Sequence, residues 1–316
     1  MTWRAVLDLY EVLRRADVDG EWVAGLLRAA GADEVTVTRV EGEEGSTDFV
    51  RAVLAGRDGR LAGGPAPTLG VIGRLGGVGA RPARTGYVSD GDGALAALSC
   101  ALELARLRAG GDHLPGDVIV ATHVCPRASI RPHHPVPFMV SPVDQETMNR
   151  HEVDPAMDAL LCVDTTRGNR ILNRRGLAIT PTVKEGYILR VSEDLLDVLE
   201  AVTGQPPAVL AITHQDITPY GNGLFHLNSI LQPSTATPAP AVGVALTAET
   251  VVPGPAVGAA QLLDVEMAAR FCVAVATAFG AGECRFYDET EFARLVARYG
   301  SLAHLQTPGR EPGEGG

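Results

Sequence analysis

The stretch from Thr68 to Asp117 constrains this fold more than any other. It reads TLGVIGRLGGVGARPARTGYVSDGDGALAALSCALELARLRAGGDHLPGD. An apolar strand runs into a glycine-rich turn, and an Asp-Gly-Asp-Gly turn then opens a long amphipathic helix. A second apolar strand follows over 117–122, which completes a βαβ unit. Active-site groups of α/β sheets collect at the carboxyl ends of strands, where such turns lie. Asp90 and Asp92 are therefore the first candidates. Asp92 suits a helix N-cap, whereas Asp90, nearer the strand exit, is freer to face a ligand.

Apolar runs place further strands over 34–40, 159–164, 208–213 and 242–246, and one or two more within 176–189. Helical spacing marks 4–16, 21–30, 144–152, 192–203, 262–279 and 288–297, with Ser192 as an N-cap. The segment 46–54 reads equally as strand or short helix. No interdomain linker or internal repeat is visible. The expectation is one α/β domain over 1–306, a three-layer α/β/α sandwich with a mixed, mostly parallel sheet, and a disordered tail over 307–316.

Charge and cysteine usage exclude several classes. A net charge of −11 opposes nucleic acid or an anionic membrane as the main partner. Cys100, Cys125, Cys162, Cys272 and Cys284 are odd in number and widely spaced, so neither a disulfide framework nor a zinc knuckle is expected. The N-terminus does not read as a signal peptide, and no apolar run is long enough to span a membrane. A cytoplasmic protein is the expectation.

Candidate chemistry gathers at strand exits and in two loops. Asp164 closes the strand LLCVDTT. His123 and Cys125, two residues apart, would share a face if extended, as a ligand pair or as a thiol with a nearby base. The alternative for both is ordinary burial in the core. The proline-rich loop carries His133 and His134, and the loop HQDITPYGNGLFHLN carries His214, Asp216, Asn222 and His226. No H-E-x-x-H, G-x-S-x-G, Walker or dinucleotide fingerprint is present.

The order TLGVIGRLGGVG, VSDGDGALAALSCALELAR, GDVIVATHVCP, ALLCVDTT and PAVGVALTAETVVPGPAVGAAQLLDVEMAAR resembles the di-zinc exopeptidase superfamily of aminopeptidases and deacylases. SDGDGA, GLAITPTVKEGYILRVSEDLL and ILQPSTATP resemble a bacterial family of unknown function. The superfamily resemblance implies a metal-bridging Asp at Asp90 and a later acidic ligand at Asp164. It also implies H-x-D where this chain has Arg74 and Gly76, two glutamates at Cys125 and Pro126, and a histidine at Gly254. Every imidazole and both glutamates of the metal site are thus replaced. The resemblance implies peptide or amide metabolism, by a non-standard hydrolase or by a non-catalytic binder or assembly partner. Expected ligands are small peptides or amino-acid derivatives, with a homo-oligomer as the assembly. No bridged di-zinc pair is expected, and a single divalent metal such as zinc is the most the set would hold. Arg74 is expected to neutralise Asp90 and Asp164 by lying between them.

Overall fold

The computed structural model describes residues 2–43, 45–74, 76, 87–132, 138–224, 229–249 and 260–310. Two N-terminal helices, α1 (Thr2–Leu13) and α2 (Gly20–Ala30), precede the hairpin of β1 (Glu34–Gly42) and β2 (Gly45–Leu54). The ambiguous segment 46–54 is thus a strand. It lies between β1 and β4, and its valines and Phe49 pack inward. The βαβ unit follows as β3 (Leu69–Gly73), α3 (Asp92–Ala109) and β4 (Val118–Val124). A small hairpin, β5 (Ser129–Arg131) and β6 (Phe138–Val140), leads to α4 (Gln145–Glu152) and β7 (Ala159–Thr166). Then come β8 (Gly176–Ile179), β9 (Val183–Lys184), β10 (Tyr187–Ile188), α5 (Glu193–Thr203), β11 (Ala241–Thr247), α6 (Leu262–Gly280) and α7 (Glu289–Tyr299).

Nine strands form one sheet in the order β1-β2-β4-β3-β7-β11-β9-β10, with β8 also on β11. The centre, β4-β3-β7-β11, is parallel, and the flanks are antiparallel. This is the expected mixed α/β sheet. β3 has β4 on one side and β7 on the other, so the strand order reverses beside it. Crevices at such reversals, at the carboxyl ends of strands, are where ligands bind in open α/β sheets.

The two faces of the sheet are covered differently. Leu69, Val71, Val118, Val120, Leu161 and Val163 face one core, packed under α1, α2, α3 and α6. Ile72, Ile119, Leu160 and Cys162 face a second core, closed by residues of 208–217 and 230–239 and by Met157. The helix α3 was expected to be amphipathic, yet it is buried from Asp92 through Ala105. Its many alanines let the sheet approach on one side and α1 and α6 on the other. A helix apolar on all sides belongs inside.

Two local expectations meet different outcomes. Ser192 caps α5 by accepting the Leu195 N–H at 3.1 Å. The expected strand over 208–213 reduces to a single bridge between Val209 and Ile179. β8 spends its other edge on β11, and only one short stretch remains for a neighbour. The five cysteines are free and buried. No helix among the described residues is long and apolar enough to cross a membrane.

Candidate functional site

The site begins with a row of side chains across three strands. Ile72 pairs with Ala121 on one side and with Cys162 on the other. Two residues further on, Arg74 is therefore level with His123 and Asp164, and the three share the face of the second core. The Arg74 N–H continues the ladder by donating to the Val163 carbonyl at 2.8 Å. Close packing above the row fixes it. A methyl group on Gly93 would lie 2.4 Å from the Val163 carbonyl oxygen, and one on Gly73 would lie 2.6 Å from that of Gly93. Gly93 of the Asp-Gly-Asp-Gly turn and Gly73 of β3 thus let the first turn of α3 rest directly on the strand ends.

The row divides into two electrostatic groups. In the first, Arg74 is fully buried and donates from Nη1 to Glu152 Oε2 at 2.5 Å. Its Nη2 reaches Gln145 Oε1. The other oxygen of Glu152 meets His123 Nδ1 at 2.7 Å. A carboxylate only accepts, so the imidazole donates to it from Nδ1. Phe49 packs beside the imidazole and stacks on His151, 4.5 Å between ring centroids. The expected bridge from Arg74 to both aspartates does not form. Gln145 and Glu152 hang from α4 over this face, and a buried carboxylate demands a cation close by.

The second group is Asp164 and Asp90. Asp164 Oδ2 accepts the Ser229 hydroxyl at 2.8 Å, and Oδ1 accepts the Thr165 N–H at 2.7 Å. The short 3-10 turn Ser89–Gly91 carries Asp90, and the Thr165 hydroxyl ties it to the end of β7 through the Ser89 carbonyl at 2.9 Å. Asp90 keeps some surface open, yet the surrounding protein desolvates its carboxyl. Burial first, and the Asp164 charge second, push it up to about 7, against a lowering pull from Arg167. Burial pushes Asp164 up to about 6, opposed by Ser229, Arg74 and the Thr165 amide and assisted by Glu152.

The remaining candidates lie apart from this pair. Asp92 is no N-cap: it opens α3 itself, and its buried carboxylate accepts the Tyr87 hydroxyl at 2.9 Å. Cys125 makes no hydrogen bond with His123 among the described residues. Its thiol lies 3.7 Å from the Ser46 carbonyl in a small apolar cluster with Val88, Ala128 and Met139. Burial pushes that thiol up to about 11, far from the thiolate a nucleophile needs. Asp216 closes a capping box with Thr213, accepting its N–H at 2.7 Å. His214 is exposed, and Asn222 accepts the Leu224 N–H at 3.0 Å. His133, His134, His226 and Gly254 lie outside the described residues. Among the described residues, no group of three His, Cys, Asp or Glu is placed to hold a metal ion.

Glu152, Gln145 and Ser229 escape a reading of the sequence. Glu152 has one faint signal, since it follows Met148 by four residues and so shares the inward stripe of α4. Ser229 has none.

With the site in place, comparison with known proteins fixes the family. A protein-family profile described as "Protein of unknown function (DUF1177)" matches residues 38–309. The chain belongs to the DUF1177 family. No curated protein sequence matches it. Among solved structures, this DUF1177 chain is similar to "Bottromycin maturation enzyme BotP in complex with Mn". The identity is 14%, the TM-score is 0.50, and the match covers 87% of this chain and 71% of that one. It also matches the LapA aminopeptidase of Legionella pneumophila at 11% identity and TM-score 0.46, over 90% of this chain and 70% of that one. At such identities the likeness is one of fold, in keeping with the mixed α/β architecture expected from the order of elements.

Proposed function

We propose that Asp90 and Asp164 form the reactive centre of a hydrolase for small peptide or amide substrates, working without the usual two-zinc site. The observation that carries this reading is the pair of desolvated aspartates at the sheet's strand-order reversal, with values of about 7 and about 6. Near neutral pH such a coupled pair retains roughly one proton between its members. The ionised carboxylate can take a proton from water as the water oxygen bonds to the amide carbon. The protonated partner can deliver its proton to the leaving nitrogen as the C–N bond breaks. Water adds across one bond, and the pair ends with the proton count it began with.

Two divalent ions do not fit the donor set. Arg74, Gly76, Cys125 and Pro126 stand at four of the matching ligand positions. The buried Arg74 guanidinium already brings a fixed positive charge level with Asp164. A cluster of cations there would be self-repelling. The steps above therefore involve the chain's own carboxyls. In the same reading the protein is cytoplasmic and takes small peptide- or amino-acid-derived ligands, not nucleic acid or membranes.

The second reading is a non-catalytic binder for the same ligands. It draws support from the buried Cys125 thiol and from the imidazole of His123, which Glu152 already engages.

One set of measurements separates these readings. Protein never exposed to chelator is analysed for metal and assayed against dipeptides and aminoacyl amides between pH 5 and pH 8. The hydrolase reading expects a bell-shaped profile centred between the two aspartate values, abolished in Asp90→Asn and in Asp164→Asn and unchanged by chelator. Binding without turnover selects the binder. A stoichiometric divalent ion lost in either variant overturns the metal-free pair.

A further inference from the structure

The loop that leaves β7 carries the sequence RGNRILNRR over residues 167–175, with four arginines and no acid in a chain of net charge −11. It joins the carboxyl end of β7 to Gly176, which pairs with Thr247 at the carboxyl end of β11. The arginines therefore rim the same sheet edge as Asp164. The two ends of the loop are secured differently. At its base Arg175 pairs with Asp264 at 3.0 Å, and Arg174 bonds Gln205 at 3.1 Å. In its middle Asn169 accepts the N–H groups of Ile171 and Leu172, which holds a tight turn. Arg167 and Arg170 are exposed and have no carboxylate within ion-pairing distance among the described residues. Most of the other described arginines are paired with an acid, so two unpaired neighbours on the sheet edge of Asp164 stand out.

We infer that Arg167 and Arg170 bind a terminal carboxylate of the ligand, which narrows the substrate class to short peptides or acyl amino acids with a free acid end. Guanidinium groups suit this task because their planar fork matches a carboxylate. The pull of Arg167 on Asp90 agrees with its place beside the pair. The inference rests on the proposed reading of Asp90 and Asp164 as the centre.

Calorimetric titration tests it with alanyl-alanine and its terminal amide, on wild type and on the double variant R167Q/R170Q. Circular dichroism confirms that the variant folds. Wild type is expected to bind the acid about five- to tenfold tighter than the amide, as two solvent-facing ion pairs allow. The preference should shrink with added salt and vanish in the variant. Equal affinity for acid and amide in wild type overturns the carboxylate subsite while the centre stands. So does a preference that survives in the variant. Inorganic phosphate binding through these arginines, with no acid preference, overturns it in favour of a phosphate ester. Failure of both peptides to bind wild type removes the centre itself, and this inference with it.

Discussion

Two charged groups sit side by side at the carboxyl ends of the central strands and solve the problem of burial in opposite ways. Arg74, Glu152 and His123 are enclosed and joined to one another: both oxygens of Glu152 are used, one by each partner, and of this trio's buried polar atoms only the Arg74 Nε is left with no hydrogen-bond partner among the described residues. Asp90 and Asp164 form no ion pair among the described residues; Arg167 and Arg74 pull on them from farther off, yet burial outweighs that pull and their carboxyls drift toward neutrality instead. A buried charge that has its counter-charge is structural by default, because removing either partner is ruinous. A desolvated carboxyl without one is a standing cost to the fold, and such costs collect at functional sites. The contrast assigns scaffolding to the first group and chemistry to the second.

The largest effect should come from Arg74→Ala. It leaves the Glu152 carboxylate buried with no guanidinium, a loss of roughly 3–5 kcal/mol. Melting curves read it. Arg74→Met combined with Glu152→Gln should lose less than the single variant, as a coupled network requires. A small loss for Arg74→Ala would break the division between the two groups.

Asp90→Asn should move stability the other way. The folded Asp90 value lies above the unfolded one, so its contribution is complete near pH 4 and is lost as pH rises through about 7. At pH 8 the variant should be more stable than wild type by on the order of 1–3 kcal/mol, at about 1.4 kcal/mol per unit with some discount for exposure. Near pH 4 the two should melt alike. A variant less stable than wild type at pH 8 would mean that Asp90 has a counter-charge after all.

Ser229→Ala deletes one hydrogen bond to Asp164, about 1–2 kcal/mol. It should also lift the Asp164 carboxyl further, which carbon-13 carboxyl titration reads directly. The smallest effect belongs to Cys125→Ser, on the order of 1 kcal/mol for burying a hydroxyl in an apolar cluster. Dipeptide turnover should be unchanged by it, and a lost activity would return the thiol to the centre.

Much of the framework was legible because it follows from local pattern. The apolar strands, the Ser192 cap and the glycine turn before α3 each declare themselves within a few residues. Asp90 and Asp164 could be singled out because strand ends point to one edge. What stayed hidden depends on contacts across the chain. Arg74 and Glu152 are 78 residues apart, and a glutamate in ETMNRHE looks like any solvated helix charge. The Asp92 cap failed for a local reason instead: its carboxyl lies inside the first turn of α3 and accepts the Tyr87 hydroxyl from five residues upstream. The strand expected over 208–213 had the right composition but only one bridge to make.

The short helix α4 carries a consequence of its own. Eight residues are too few to persist as an isolated helix, so α4 exists only while it is docked. Its docking surface holds Glu152 and Gln145, which means that its opening and the exposure of the Arg74 guanidinium are one event. Amide exchange across 145–152 should therefore proceed as a single cooperative step, slower than ordinary fraying and faster than exchange from the parallel strands. The rate of that step measures how often water reaches the buried Arg74.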